Sequence, residues 1–114
     1  MPRLIRSKPA SAVKQSKELR EFLESCLDEE LKGQIEVAFT DLQSNYQAGD
    51  KVPQYLWPKY YAKRWGINNL YVYRLGRYWR LTYFLDWPGE GVEVICLEIL
   101  MHGDYDNRFG YRTS

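Results

Sequence analysis

Histidine is almost absent from this sequence and cysteine is scarce. Its 114 residues include one histidine, His102, and two cysteines, Cys26 and Cys96, far apart in the chain. There is no Cys-x-x-Cys pair and no Cys/His cluster. That argues against a structural zinc site, a disulfide framework and most transition-metal catalysis, so neither metal nor cofactor is expected. A reducing, cytoplasmic setting fits two unpaired thiols. No apolar run approaches the ~20 residues that a membrane span needs. The first residues, MPRLIRSKPA, lack the apolar centre of a secretory leader. What remains is 45% hydrophobic and 27% charged, the composition of one ordinary globular domain.

Acidic residues are missing from a whole quarter of the chain. The overall balance is 16 basic against 15 acidic residues, yet the signs are segregated. Residues 51–80 carry Lys51, Lys59, Lys63, Arg64, Arg74, Arg77 and Arg80 and no acid, whereas 21–50 carry Lys32 as their only cation. The acid-free block also holds nine of the 18 aromatic residues. Cations interleaved with rings suit nucleic acid: guanidinium and ammonium groups pair with phosphates, and rings stack on unpaired bases. In a small domain most such rings are needed for the core, so the binding role is expected of some of the cations.

The elements follow from periodicity. Residues 1–15, basic and rich in Ser, Pro and Ala, read as a mobile arm with a short strand at Arg3–Arg6, ahead of a single domain over 16–114. Ser16 is an N-cap for a first helix bearing Leu19, Phe22, Leu23 and Cys26 on one side. Asp28 caps a second, with Leu31, Ile35, Ala38, Phe39, Leu42 and Tyr46 on one face. Pro53 and Pro58 exclude regular structure between Lys51 and Gly66. Three strand-like runs follow, Asn69–Leu75, Tyr78–Asp86 and Val92–Met101, joined by short loops that predict antiparallel neighbours. A last helical turn before Gly110 completes the pattern. The expected class is α+β, with two N-terminal helices packed on one face of a three- to four-stranded antiparallel sheet and the other face left open. Arg74, Arg77 and Arg80 would meet on that open face.

This order of elements resembles the RelE/ParE superfamily of bacterial toxins. The resemblance rests on the helix pair leading to Leu56-Trp57-Pro58-Lys59 and on the strand pair Tyr71-Val72-Tyr73-Arg74-Leu75 and Tyr78-Trp79-Arg80-Leu81-Thr82-Tyr83. The final strand running into His102-Gly103-Asp104-Tyr105 completes it. It implies a RelE-like fold over about residues 16–111 and, in the RelE branch, a metal-independent endoribonuclease (an mRNA interferase acting in the ribosomal A site). It also implies a neutralising antitoxin as partner. By that resemblance Arg80 clamps the scissile phosphate, Arg74 holds its neighbour, His102 moves a proton, and Tyr105 stacks on a base or donates a proton. Lys59, Lys63, Arg64 and Arg77 are then RNA contacts. The chain departs from the family's pattern in its near-neutral charge and its acidic second helix.

Other readings stand beside it. Arg80 suits a cross-strand ion pair with Glu93 or Glu98 as well as a phosphate. His102 suits the end of a strand without chemistry. The ParE branch, which poisons DNA gyrase, and an RNA- or protein-binding module that has lost the chemistry are the alternative functions.

Overall fold

A computed structural model describes residues 8–110 of the chain. A five-stranded sheet forms its middle layer, in the order β1-β5-β4-β3-β2. The strands are β1 (Ala12–Gln15), β2 (Asp50–Lys51), β3 (Tyr71–Leu75), β4 (Trp79–Asp86) and β5 (Glu93–Met101). The helices are α1 (Lys17–Ser25), α2 (Glu29–Ser44), α3 (Lys59–Trp65) and α4 (His102–Phe109). The β3–β4–β5 meander and both N-caps match the sequence: Ser16 accepts from the Leu19 amide and Asp28 from the Leu31 amide. Each cap satisfies a helix donor that would otherwise lack a partner.

The α+β class holds, but its detail is corrected. The sheet has five strands and is mixed, because β1 runs parallel to β5. β1 falls inside the segment read as an arm, so ordered structure begins ahead of residue 16; the strand expected at Arg3–Arg6 lies outside the described residues. β1 escapes a reading of periodicity because side chains and backbone pairing fix it, with no apolar alternation of its own. Ser11 Oγ donates to Val92 O at 3.1 Å, Ser16 Oγ to Leu97 O at 2.6 Å, and Lys14 pairs with Glu93 at 3.0 Å.

The second face is not open either. α1 and α2 cover one face over Leu19, Leu31, Ile35, Ala38, Leu42, Leu81, Tyr83 and Val94. The opposite face carries a second apolar cluster, with Val72 and Leu97 beneath Tyr61 of α3 and Phe109 of α4. The proline segment contains α3 because Pro58 stands at its N-cap, where a missing N–H costs nothing. The terminal turn is a full helix of eight residues.

One irregularity in β5 makes this second layer possible. Thr82 faces Glu98 while Tyr83 faces Cys96, so Leu97 is an extra residue in the ladder. The bulge places two successive side chains, Leu97 and Glu98, on the α3/α4 face. In strict alternation Glu98 would enter the α1/α2 core. Instead its carboxylate accepts from the Tyr61 hydroxyl at 2.7 Å and from Arg108 at 3.1 and 3.0 Å. Tyr61 also accepts from Thr82 Oγ1 at 2.9 Å. This buried knot ties α3 and α4 to the sheet.

Two tests follow from the burial. Cys96 is fully buried and its thiol is pushed up to about 12 by that burial, whereas Cys26 is half-buried. The native protein should therefore titrate one thiol with a disulfide reagent and two after denaturation; two fast thiols in the native state would contradict the packing. Burial also raises the phenols of Tyr61 and Tyr83 above the ordinary tyrosine value, Tyr61 with help from Glu98. The neutral forms thus favour the fold below the unfolded value of ~10, and that stability is lost as pH rises beyond it. A denaturant midpoint that is flat from pH 9 to 12 would refute this.

Candidate functional site

A cleft of about 370 Å³ opens between the sheet, β2, the turn at Gln54–Leu56 and α4. Its wall includes Asp50, Lys51, Pro53, Arg74, Arg80, His102, Tyr105 and Asp106. All four residues assigned to chemistry by the sequence, Arg74, Arg80, His102 and Tyr105, therefore border one space.

The register explains the meeting. Arg74 and Arg80 are direct partners across the β3–β4 ladder, and Val72 is opposite Asp50 on β2. Residues two apart share a face, so Asp50, Arg74 and Arg80 all belong to the face that carries Val72. β5 then passes directly into α4, and the His102 amide donates to Tyr78 O at 2.8 Å. That bond sets the helix start beside β4. Tyr105, one turn on, packs on Phe109 with ring centres 4.4 Å apart and lies under the Arg80 guanidinium at 5.9 Å.

The electrostatics of the arginine pair are unusual. Two like charges directly opposite on one sheet face repel. Here the ion pairs among the described residues are Lys14–Glu93, Lys32–Glu29, Arg64–Glu18 and Arg108–Glu98, joined by His102–Asp106 when the imidazole is protonated. Neither Arg74 nor Arg80 is in one. Glu93 and Glu98, the acids that would have made Arg80 a structural cross-strand partner, are engaged by Lys14 and Arg108. Arg80 Nη1 does donate to the Trp79 carbonyl at 3.2 Å, which anchors its guanidinium. A floor with two guanidinium groups that are in no ion pair among the described residues is suited to an anion that bridges both.

The expected RNA contacts divide differently. Arg64 forks onto Glu18 at 2.8 and 3.2 Å and lies over Trp65, which commits it to joining α3 to α1. Lys59 and Lys63 are exposed on α3 but outside the cleft wall. Arg77 lines a separate hollow with Asp28, Glu30 and Tyr78 on the α2 side. The sequence missed Asp50, Lys51 and Asp106. Asp50 and Lys51 sit in a two-residue strand with no periodic signal, and Asp106 lies in a tail taken for a single turn. The i, i+4 spacing of His102 and Asp106 was the available clue.

Among the described residues no group of three or more His, Cys, Asp or Glu side chains is placed to hold a metal ion. No described helix is long and apolar enough to cross a membrane. Comparison with known protein families, with curated proteins and with solved structures brings no match to this chain.

Proposed function

We propose that the chain is a RelE-like toxin: a metal-independent endoribonuclease that cleaves messenger RNA and is silenced by a cognate antitoxin. The observation that carries the reading is the Arg74–Arg80 pair, in no ion pair among the described residues, beside the chain's one imidazole. A phosphodiester bridging both guanidinium groups would relieve their repulsion. Arg80, whose guanidinium is anchored, clamps the scissile phosphate and stabilises the charge that grows on its oxygens; Arg74 holds the neighbouring phosphate. His102 takes the proton of the ribose 2′-hydroxyl, and the freed oxygen attacks phosphorus. The bond to the 5′-oxygen breaks, and the Tyr105 hydroxyl supplies the proton that this oxygen needs. The products are a 2′,3′-cyclic phosphate and a 5′-hydroxyl end. The ribosomal A site as the place of cleavage belongs to the same resemblance.

A second reading, an RNA- or protein-binding module without the chemistry, is favoured by one feature. Asp50 and Asp106 share the cleft with the arginines, and two carboxylates beside two guanidinium groups also suit a ligand of mixed charge such as a protein segment. Expression separates the two. Induced without a partner, the chain should arrest growth and truncate messenger RNA, and His102→Gln should abolish truncation while RNA retention persists. Full toxicity in the His102→Gln chain would remove the imidazole from the chemistry.

A further inference from the structure

Behind His102 stands a carboxylate that the scheme above does not use. Asp106 follows His102 by four residues on α4, in the row that also bears the buried Phe109. It is only 8% exposed. An apolar residue in that row would extend the core at no electrostatic cost, whereas a carboxylate taken out of water is unfavourable unless paired. Its basic neighbour among the described residues is the imidazole, with Asp106 Oδ2 3.5 Å from His102 Nε2, an ion pair once the ring is protonated. Both residues border the cleft.

From this geometry we infer that Asp106 is the positioning residue of His102. It holds the imidazole through Nε2, so that Nδ1 is the nitrogen offered to the RNA. The chemical part of this inference rests on the nuclease reading, while the pairing itself rests on the fold. The other charged groups of the cleft, Asp50, Lys51, Arg74 and Arg80, come from the strands, and none is in an ion pair with the ring. A separation of 3.5 Å exceeds hydrogen-bond length, as such contacts commonly do before substrate tightens them. The Nε2 proton stays on the Asp106 side. Nδ1 receives the 2′-hydroxyl proton, and the carboxylate stabilises the imidazolium without itself being protonated.

The chain's single histidine makes the pairing readable by nitrogen NMR, since only one imidazole is present. In Asp106→Asn the ring nitrogen shifts should move while the backbone amide spectrum stays native. On a short RNA, kcat should fall about 10- to 100-fold with KM little changed, a smaller loss than the ~10²–10⁴-fold that an acid–base group supplies. Added to His102→Gln, the same change should cost nothing more. Asp106→Glu, which keeps the carboxylate, should be more active than the Asn variant, and it serves if Asn unfolds the helix. Ring signals that ignore both substitutions would overturn the inference, as would an Asn variant that costs as much without His102 as with it. A wild-type chain that cuts no RNA would instead overturn the nuclease reading, and the ring signals would still decide the pairing.

Discussion

Arg80→Ala should lower the rate of RNA cleavage by roughly 10²–10³-fold, the loss typical of removing one preorganised donor to a charged transition state. The same protein should melt close to the wild type. A half-exposed residue without an ion pair normally changes stability by no more than about 0.5 kcal/mol, which is a few degrees at most for a domain of this size. Truncation also removes the repulsion from Arg74, and this offsets the lost contact with the Tyr105 ring. The contrast is the test. A large loss of activity at constant Tm places Arg80 in the site, whereas a matching collapse of both would make it a scaffold residue. Unchanged activity would remove the phosphate clamp from the account.

Glu98→Ala should have the opposite signature. The carboxylate is nearly buried, with 12% of its side chain exposed, and it receives the Tyr61 hydroxyl and both arms of Arg108. Its removal leaves the buried Tyr61 phenol with Thr82 as its partner and takes the acceptor from Arg108. Hydrogen bonds to charged groups contribute about 1.5–3 kcal/mol each, and the Tyr61 bond is the buried one while the Arg108 pair reaches solvent. A net loss of about 3 kcal/mol is expected, read by denaturant unfolding. Because Arg108 is on the same helix as the site residues, α4 should come away from the sheet and take His102 and Tyr105 with it. Activity and stability therefore fall together. Glu98→Gln keeps an acceptor for Tyr61 and should lose far less. A stable Ala variant with a native proton spectrum for α4 would show that the helix docks through Phe109 alone.

These two residues mark how much the sequence disclosed. Arg74 and Arg80 were placed correctly because a strand's two-residue period is strict, and a tight turn at Gly76, where the backbone adopts φ 60°, fixes their register. Leu81, Tyr83 and Leu85 fell on the helix side for the same reason. Glu93 and Glu98 both suit Arg80 in the sequence because the register of β4 on β5 has no local signal: nothing in Cys96-Leu97-Glu98 announces the added residue, and only the partner strand defines it. α3 was lost to a rule applied too broadly, since proline forbids a helix interior but suits its first turn. β1 and β2 carry no pattern because they are edge strands of four and two residues, too short for an alternation to show. The cleft needed β2 and α4 as well as the meander, which is why Asp50, Lys51 and Asp106 appeared only with the fold.

The most direct measurement is the chemistry of the RNA ends. Messenger RNA is translated in an extract containing the purified chain and a chelator that leaves ribosomal magnesium in place but removes transition metals, and the fragments are analysed for terminal phosphates. The account predicts 2′,3′-cyclic phosphate and 5′-hydroxyl ends, no cut at a position carrying a 2′-deoxyribose, and neither product with Arg80→Ala. Fragments ending in 3′-hydroxyl and 5′-phosphate, or equal cleavage at the deoxyribose, would contradict it.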